Sequence, residues 1–362
     1  MTIDPGLCRG EITAPPSKSH AHRLLIANFL ADGAGADLAD CTGDSADILA
    51  TKRSLRALLS DDVEPVLDCG ESGSTLRFLS PVAAALGKRP RYKLSGRLSE
   101  RPNIAYESLE SGIHELSGNV SSQFVTGLLF ALPLLEGDSE ISFLSPLESR
   151  GYVDMTLDVI RKAGVSIEEM DKGFSIPGRQ RYRRQASKVE GDWSGAAFWY
   201  AMNALGSDVK VIGLNENSAQ PDRAIGQLLP DLPDRVDVSQ FPDIFPVLTV
   251  VAAARPGKTV FEGITRLRLK ECDRVAAMAD VLGRFGAKIS VTETSFCVEG
   301  TDGAFSGGKF HVYGDHRIAM SVAVGSTIAL DSVEIDDHEC ANKSYPGFFE
   351  LLQSTQNAPF LI

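Results

Sequence analysis

Six times along the chain, a short polar head of Gly, Ser or Asp leads into an apolar run of helical length. The stretches are PPSKSHAHRLLIANFL, GESGSTLRFLSPVAAAL, SGNVSSQFVTGLLFALPLL, EGDWSGAAFWYAMNAL, FPDIFPVLTVVAAA and GDHRIAMSVAVGSTIAL, with heads near Lys18, Gly73, Ser121, Asp192, Asp243 and Asp315. A helix apolar on nearly every side has no face to offer water and is buried inside a domain. Six of them predict a repeat architecture with helices in its interior. A second repeat aligns DVIRKAGVSI (158–167) with DVLGRFGAKI (280–289) without a gap. Each copy reads as an amphipathic helix, a Gly cap and a strand. Around the second copy, Val275, Met278, Ala279, Leu282 and Phe285 keep the rhythm of a one-sided helix. Buried helices, surface helices and short strands are therefore mixed, which is an α/β (α+β) pattern.

At 362 residues the chain exceeds one typical domain. The linker is expected at IPGRQRYRRQASKVEGD (176–192), a basic, Pro/Gly-bearing stretch without an apolar face, with three headed helices on either side. The net charge of −12 repels nucleic acid and anionic membranes at long range, so Arg179–Arg184 reads as a solvated strand or hinge. The first ten residues lack the apolar core of a signal peptide, and no apolar run is long enough to span a bilayer. The six cysteines are scattered, with no CxxC pair and no zinc-type spacing. That predicts a reducing, cytoplasmic setting and neither a disulfide scaffold nor a metal cluster.

An acidic chain still binds a small anion where its cations gather. In PPSKSHAHR, Ser19 and Arg23 share a helix face, and Lys18 sits with the free amides at the helix start. Two readings stay open: an anion site, or an N-cap followed by a solvated basic face. In ESGSTLR (71–77), Gly73 permits close backbone approach and Arg77 lies one turn inside the helix. Arg101 precedes a proline and so lies on extended or turn backbone. Ser121, Ser122 and Gln123 open a helix, LKECDR brings Lys270, Glu271 and Arg274, GDHRIAM brings Asp315, His316 and Arg317, and ANKSYPGF brings Lys343. Taken singly these are ordinary surface charges, and Asp243 reads equally well as an N-cap. If the heads converge, they form a cleft that holds two phosphates or carboxylates with acid and base groups between them.

In order, PSKSxxxR, ESGSTLR, ERP, VSSQF, ESRGYVDMT, VEGDWS, LKECDR, GDHRIAM and NKSYPGFF resemble the EPSP synthase family, in register from about Gly10 to Leu352. The resemblance implies a two-domain inside-out α/β barrel of six βαβαββ repeats. The expected domains are 14–188 and 1–13 with 189–362, with the active site in the cleft between them. It implies transfer of the enolpyruvyl group of phosphoenolpyruvate to the 5-hydroxyl of shikimate 3-phosphate. Lys18, Asp243 and Glu271 then act as acid–base groups. Phosphoenolpyruvate falls to Lys18, Gly73, Arg101, Arg274, Arg317 and Lys343. Shikimate 3-phosphate falls to Lys18, Ser19, Arg23, Ser121, Ser122, Gln123, Ser149, Tyr152, Asp243 and Lys270. No metal or organic cofactor is called for, and a monomer with small-molecule substrates is expected.

Three positions depart from the family pattern: Glu71 replaces an Asn, Ser74 replaces a Thr, and Arg266 replaces a substrate-contacting Asn. The chain is also short for the family, so strands or loops are trimmed. The nearest rival is the sister enzyme that acts on UDP-N-acetylglucosamine through a loop cysteine, but YKLSGRLSERPN (92–103) has none and Cys69 lies in a strand-like context. An RNA 3′-phosphate-processing relative conflicts with the acidic charge. A non-catalytic anion-binding relative would be marked by loss of Lys18, Asp243 or Glu271, and all three are present.

Overall fold

The computed structural model describes residues 1–32, 44–185, 188–301, 303 and 305–358, so Cys41 lies outside the described residues. Along the chain, β1 (Thr2–Ile3) and β2 (Arg9–Thr13) precede α1 (Lys18–Asp32), α2 (Ala46–Leu58), β3 (Val66–Gly70), α3 (Gly73–Ala85) and β4 (Arg91–Leu94). There follow β5 (Ile113–Leu116), α4 (Ser122–Ala131), β6 (Ser139–Phe143), α5 (Arg150–Lys162), β7 (Glu168–Met170) and β8 (Gly173–Ile176). Next come α6 (Trp193–Ala204), β9 (Asp208–Ile212), α7 (Ile225–Leu228), β10 (Arg235–Asp237), α8 (Phe245–Ala254), β11 (Lys258–Glu262) and α9 (Arg274–Phe285). The chain closes with β12 (Lys288–Val291), β13 (Ser295–Glu299), β14 (Gly308–Phe310), α10 (His316–Ser326), β15 (Val333–Ile335) and α11 (Phe348–Gln356). These elements form two compact units: a contiguous one, Lys18–Val189, and a split one, Met1–Ser17 with Glu190–Ile362.

All six headed stretches are helices, α1, α3 and α4 in the contiguous unit and α6, α8 and α10 in the split one. Their heads carry the start signals. Ser72 accepts from Thr75 N–H, Asp192 from Gly195 N–H at 2.8 Å, and Asp315 from Arg317 N–H at 2.9 Å. From Phe245 to Ala253 every residue of α8 is buried, and α6, α8 and α10 pack on one another. In the contiguous unit α3 and α4 meet so closely that a Cβ on Gly127 would lie 2.3 Å from the Arg77 carbonyl oxygen. Only glycine fits that crossing. The helix α9 buries Val275, Met278, Leu282 and Phe285 as its rhythm predicts, and Gly286 at φ 101° ends it.

Among the described residues, two segments carry the full βαβαββ complement. The run β5-α4-β6-α5-β7-β8 builds a sheet in the order β5-β6-β8-β7, and β10-α8-β11-α9-β12-β13 builds one in the order β10-β11-β13-β12. In both, the first pair is parallel and the other two are antiparallel. The aligned decapeptides fall at the same place in each copy. The remaining sheets are smaller: β3 with β4, β2 with β9, and β1-β15-β14.

Two expectations need correction. In the first decapeptide, Val165–Ile167 form no strand, whereas β12 begins at Lys288 in the second. The side-chain amide of Gln180 takes both Ser166 N–H (2.7 Å) and Ser166 C=O (2.9 Å), which removes the groups a ladder needs. Nor is the basic stretch after Ile176 merely a solvated strand. Tyr182 is buried and donates to Phe130 O at 2.9 Å, and Arg183 N–H bonds Ala163 O at 2.8 Å. One aromatic side chain anchors this otherwise polar strip onto the contiguous unit.

Candidate active site

In the contiguous unit, Lys18 opens α1 and its Nζ pairs with Asp47, in the first turn of α2, at 2.9 Å. Arg23 lies one turn further on. Its Nη1 donates to Ser19 O at 2.6 Å, Nη2 to Tyr152 O at 2.7 Å and Nε to Thr156 Oγ1 at 2.9 Å. The guanidinium lies 5.2 Å over the Phe78 ring and is 3% exposed. Burial pulls its pKa down to about 10, so it stays charged at neutral pH. The reading of a solvated basic face is therefore wrong for Arg23. Thr156 shares a hydrogen bond with Thr126, one turn inside the helix that Ser122 begins, which ties α1, α4 and α5 together.

A buried hydroxyl chain links the other heads. His22 Nδ1 meets Thr51 Oγ1 at 2.7 Å, Thr51 meets Thr75 at 2.7 Å, and Thr75 donates to Ser72 at 2.8 Å. The helix α2 that positions Asp47 is thus tied to the head of α3, where Gly73 sits. A Cβ on Gly73 would lie 2.7 Å from Arg77 Nη1, 3.4 Å from Arg101 Nη1 and 3.5 Å from Gln123 Oε1. Gly73, Arg101 and Gln123 are therefore neighbours, with Arg77 as their hub. Arg77 donates to Gln123 Oε1 at 2.6 Å and to the Pro102 carbonyl at 2.9 Å, while Gln123 Nε2 reaches Ser74 at 3.0 Å. Ser121 caps α4 by accepting from Gln123 N–H. Ser149 is buried with φ 55°, a left-handed conformation that costs a non-glycine residue about 1–3 kcal/mol. The side chain of Glu71, the carboxylate that replaces the family's Asn, lies against Gly96.

In the split unit the head of each buried helix contributes to one ion cluster. Asp243 is no cap, because α8 begins after Ile244 without side-chain capping. Its Oδ1 meets Arg274 Nη1 at 3.0 Å and Lys270 Nζ at 3.4 Å, and its Oδ2 meets Arg317 Nη2 at 3.3 Å. Arg274, 1% exposed, also pairs with Glu271 at 3.0 Å and with Asp315 at 2.8 Å. Lys270 and Arg274 do not share a helix, since Lys270 ends a 3₁₀ turn (Thr265–Leu269) and Arg274 starts α9. Arg266, on that turn, adds a like charge near Lys270. Lys343 ends a further 3₁₀ turn (Glu339–Lys343) that packs on α10.

These contacts set the charge states. Burial works against the Asp243 carboxylate, but Lys270, Arg317 and Arg274 outweigh it and hold it well below the usual carboxylate range. Burial brings Lys270 down to about 8, against the pull of Asp243. Burial also opposes the charge on Arg274, which Asp315, Glu271 and Asp243 raise well above its ordinary value. Cys69, at the end of β3, is pushed up to about 12 by burial and is a structural thiol. Asp47 and Asp222 of these networks carried no signal in the sequence, and Ser194 lay inside the motif VEGDWS without being singled out. Asp222 is buried and accepts a hydrogen bond from Ser194 Oγ, and the Ser194 carbonyl accepts from Arg317 Nη1 at 3.4 Å.

Cationic helix heads beside buried carboxylates, on repeated βαβαββ segments, are the frame of an α/β protein of the enolpyruvyl-transferase type. The EPSP synthase (3-phosphoshikimate 1-carboxyvinyltransferase) family profile matches residues 95–352. A 3-phosphoshikimate 1-carboxyvinyltransferase of Clostridium perfringens is 37% identical over 416 aligned positions, covering 98% of this chain and 97% of that one. One from Clostridioides difficile is 35% identical, covering 97% and 96%. Among solved structures, an EPSP synthase from Acinetobacter baumannii has a TM-score of 0.77 at 22% identity, covering 98% of both chains. The enolpyruvyl transferase NikO from Streptomyces tendae has a TM-score of 0.73 at 16% identity, covering 98% of this chain and 96% of its own. These two likenesses bear on the fold. The chain belongs to the EPSP synthase family. An alignment of 416 positions against 362 residues leaves gaps in this chain, in keeping with its smaller sheets.

Proposed function

We propose that the protein transfers the enolpyruvyl group of phosphoenolpyruvate to the 5-hydroxyl of shikimate 3-phosphate, releasing phosphate and giving 5-enolpyruvylshikimate 3-phosphate. The observation that carries this reading is the Asp243 cluster, a carboxylate held ionised by three cations that an anionic substrate would also attract. When a phosphate or carboxylate engages Arg274 and Arg317, Asp243 loses part of its counter-charge and gains basicity. Asp243 then accepts the proton of the hydroxyl as its oxygen bonds to the central carbon of phosphoenolpyruvate. Glu271 delivers a proton to the methylene carbon, which becomes a methyl group. In the elimination Glu271 takes one methyl proton back and the bond to phosphate breaks, with Lys18 stabilising the departing anion. Proton transfer and anion binding are within reach of side chains alone, and we assign the protein to the cytoplasm as a monomer.

Arg101, Lys343, Arg274, Arg317, Lys18 and the close approach at Gly73 suit phosphoenolpyruvate, because guanidinium forks match carboxylate and phosphate. Ser19, Arg23, Ser121, Ser122, Gln123, Ser149, Tyr152, Lys270 and Asp243 serve shikimate 3-phosphate. The test is phosphate release from phosphoenolpyruvate with shikimate 3-phosphate and, separately, with UDP-N-acetylglucosamine. Release with the first alone is expected. Release with the nucleotide sugar alone would overturn the reading.

A further inference from the structure

Lys18 and His22 stand one turn apart on α1, and Asp47 and Thr51 stand one turn apart on the neighbouring α2. Two stacked rungs therefore join the helices. The outer rung is the ion pair of Lys18 Nζ with Asp47 Oδ2 at 2.9 Å, and the inner one sets His22 Nδ1 on Thr51 Oγ1 at 2.7 Å. A cation at the start of a helix faces the positive end of the helix dipole, whereas a carboxylate there is favoured. Lys18 opens α1, and Asp47 lies in the first turn of α2. The carboxylate thus compensates an ammonium that its own helix disfavours.

The inner rung belongs to a chain of buried groups whose donors all run one way. Thr75 Oγ1 donates to Ser72 Oγ at 2.8 Å, so in its 2.7 Å contact with Thr51 it is the acceptor. Thr51 has then used its proton and accepts from His22, which assigns the hydrogen of the ring to Nδ1. His22, Thr51, Thr75 and Ser72 are all buried. Thr51 accordingly accepts from α1 and donates to α3 at once, and Ser72 caps α3 just before Gly73. One hydroxyl ties three helix starts together. Its removal would leave a buried ring N–H without an acceptor and a buried hydroxyl oxygen without a donor, each of them costly. It would also release α2 from α1 one turn away from Asp47.

A lysine ammonium rides on a flexible four-carbon stem, so its place depends on what it pairs with. Misplacing a charge-stabilising group by about 1 Å can cost roughly 10²-fold in rate. We propose that Thr51 is a positioning residue for Lys18: bonded to His22 on α1 and Thr75 on α3, it holds α2 in the register at which Asp47 places the ammonium for the departing phosphate. The inference rests on the reading of Lys18 as the group that stabilises that phosphate. Thr51 acts through Asp47, and Asp47 through Lys18.

The test is a double-mutant cycle on the full chain, with kcat and the KM for each substrate measured well below the lowest melting temperature of the set. Thr51→Val keeps the shape and removes the hydroxyl, and Asp47→Asn removes the charge that holds Lys18. Asp47→Asn should lower kcat by roughly 10²-fold and Thr51→Val by roughly tenfold, with much smaller changes in the KM for phosphoenolpyruvate. If Thr51 acts through Asp47, Thr51→Val adds no further loss in the Asp47→Asn background. General structural damage would instead slow both backgrounds alike. Losses that multiply in full therefore overturn the proposal, as does Thr51→Val at wild-type kcat. Thr51→Ser keeps the hydroxyl and should recover kcat; a Ser variant as slow as the Val variant also overturns it. If Thr51→Val does not fold, His22→Leu breaks the same rung from α1. It must show the same dependence on Asp47, and independent losses again overturn the proposal. Wild-type protein that releases no phosphate from the two substrates would refute the functional reading itself.

Discussion

His22 makes acid a specific threat to the helix that carries Lys18, Ser19 and Arg23. Its ring is 1% exposed, edge-on to Phe78, with Nδ1 on Thr51 and Nε2 without a hydrogen-bond partner among the described residues. Burial, reinforced by Lys18 and Arg23 and opposed by Asp47, lowers its pKa from 6.5 to about 3. Between these values the unfolded chain binds a proton that the folded chain refuses. Stability is therefore fully present above pH 6.5 and falls as pH drops towards 3. Each pH unit in that window costs about 1.4 kcal/mol, so the descent from pH 7.5 to 5.0 costs about 2 kcal/mol. The variant His22→Asn keeps a polar partner for Thr51 and removes the titration. It should be less stable at pH 7.5 by about 1–3 kcal/mol for the lost ring. The difference between the two proteins should then shrink by about 2 kcal/mol at pH 5.0. Urea unfolding followed by far-ultraviolet circular dichroism at the two pH values measures it. Parallel acid losses in the two proteins would refute the reasoning, because the other histidines titrate equally in both.

Gly127→Ala forces a Cβ into the Arg77 carbonyl, and overpacking of this kind costs typically about 1–3 kcal/mol, read as a lower melting temperature. The same shift carries Arg77 and Gln123, so the KM for shikimate 3-phosphate should rise with it. Lys270, at about 8, loses its charge as pH rises, so the KM for shikimate 3-phosphate should climb above pH 8, and Lys270→Arg should move that climb to higher pH. Glu271→Ala leaves Arg274 paired with Asp243 and Asp315, so the fold should survive while kcat falls by roughly 10²–10⁴. A Glu271→Ala enzyme of full activity would end its assignment as an acid–base group.

The buried helices and their heads were legible because their signals are local. A polar cap followed by an apolar run needs no knowledge of distant residues, and all six such runs are helices. The motifs also marked the cations and carboxylates of the Asp243 cluster, as residue types at the starts of helices. Their partners were not legible. Asp47 meets Lys18 across 29 residues, Asp222 meets Ser194 across 28, and Asp315 meets Arg274 across 41. Such pairings leave no period in a sequence. The same limit explains Val165–Ile167, where a side-chain amide from Gln180 holds Ser166 and the strand β7 starts only at Glu168, and the basic strip pinned by a single buried Tyr182. For the same reason the sequence left open whether Arg23 is solvated, since two of the three oxygens that hold it, Tyr152 O and Thr156 Oγ1, come from α5.

The most direct test of the account is to run the reaction of phosphoenolpyruvate and shikimate 3-phosphate in deuterium oxide and to examine the product by proton and phosphorus nuclear magnetic resonance. Protonation of the methylene carbon followed by elimination predicts 5-enolpyruvylshikimate 3-phosphate with deuterium in its vinyl group, released with one equivalent of phosphate. The same product with its vinyl hydrogens undiluted would contradict the addition–elimination chemistry assigned to Glu271, and no such product would contradict the function itself.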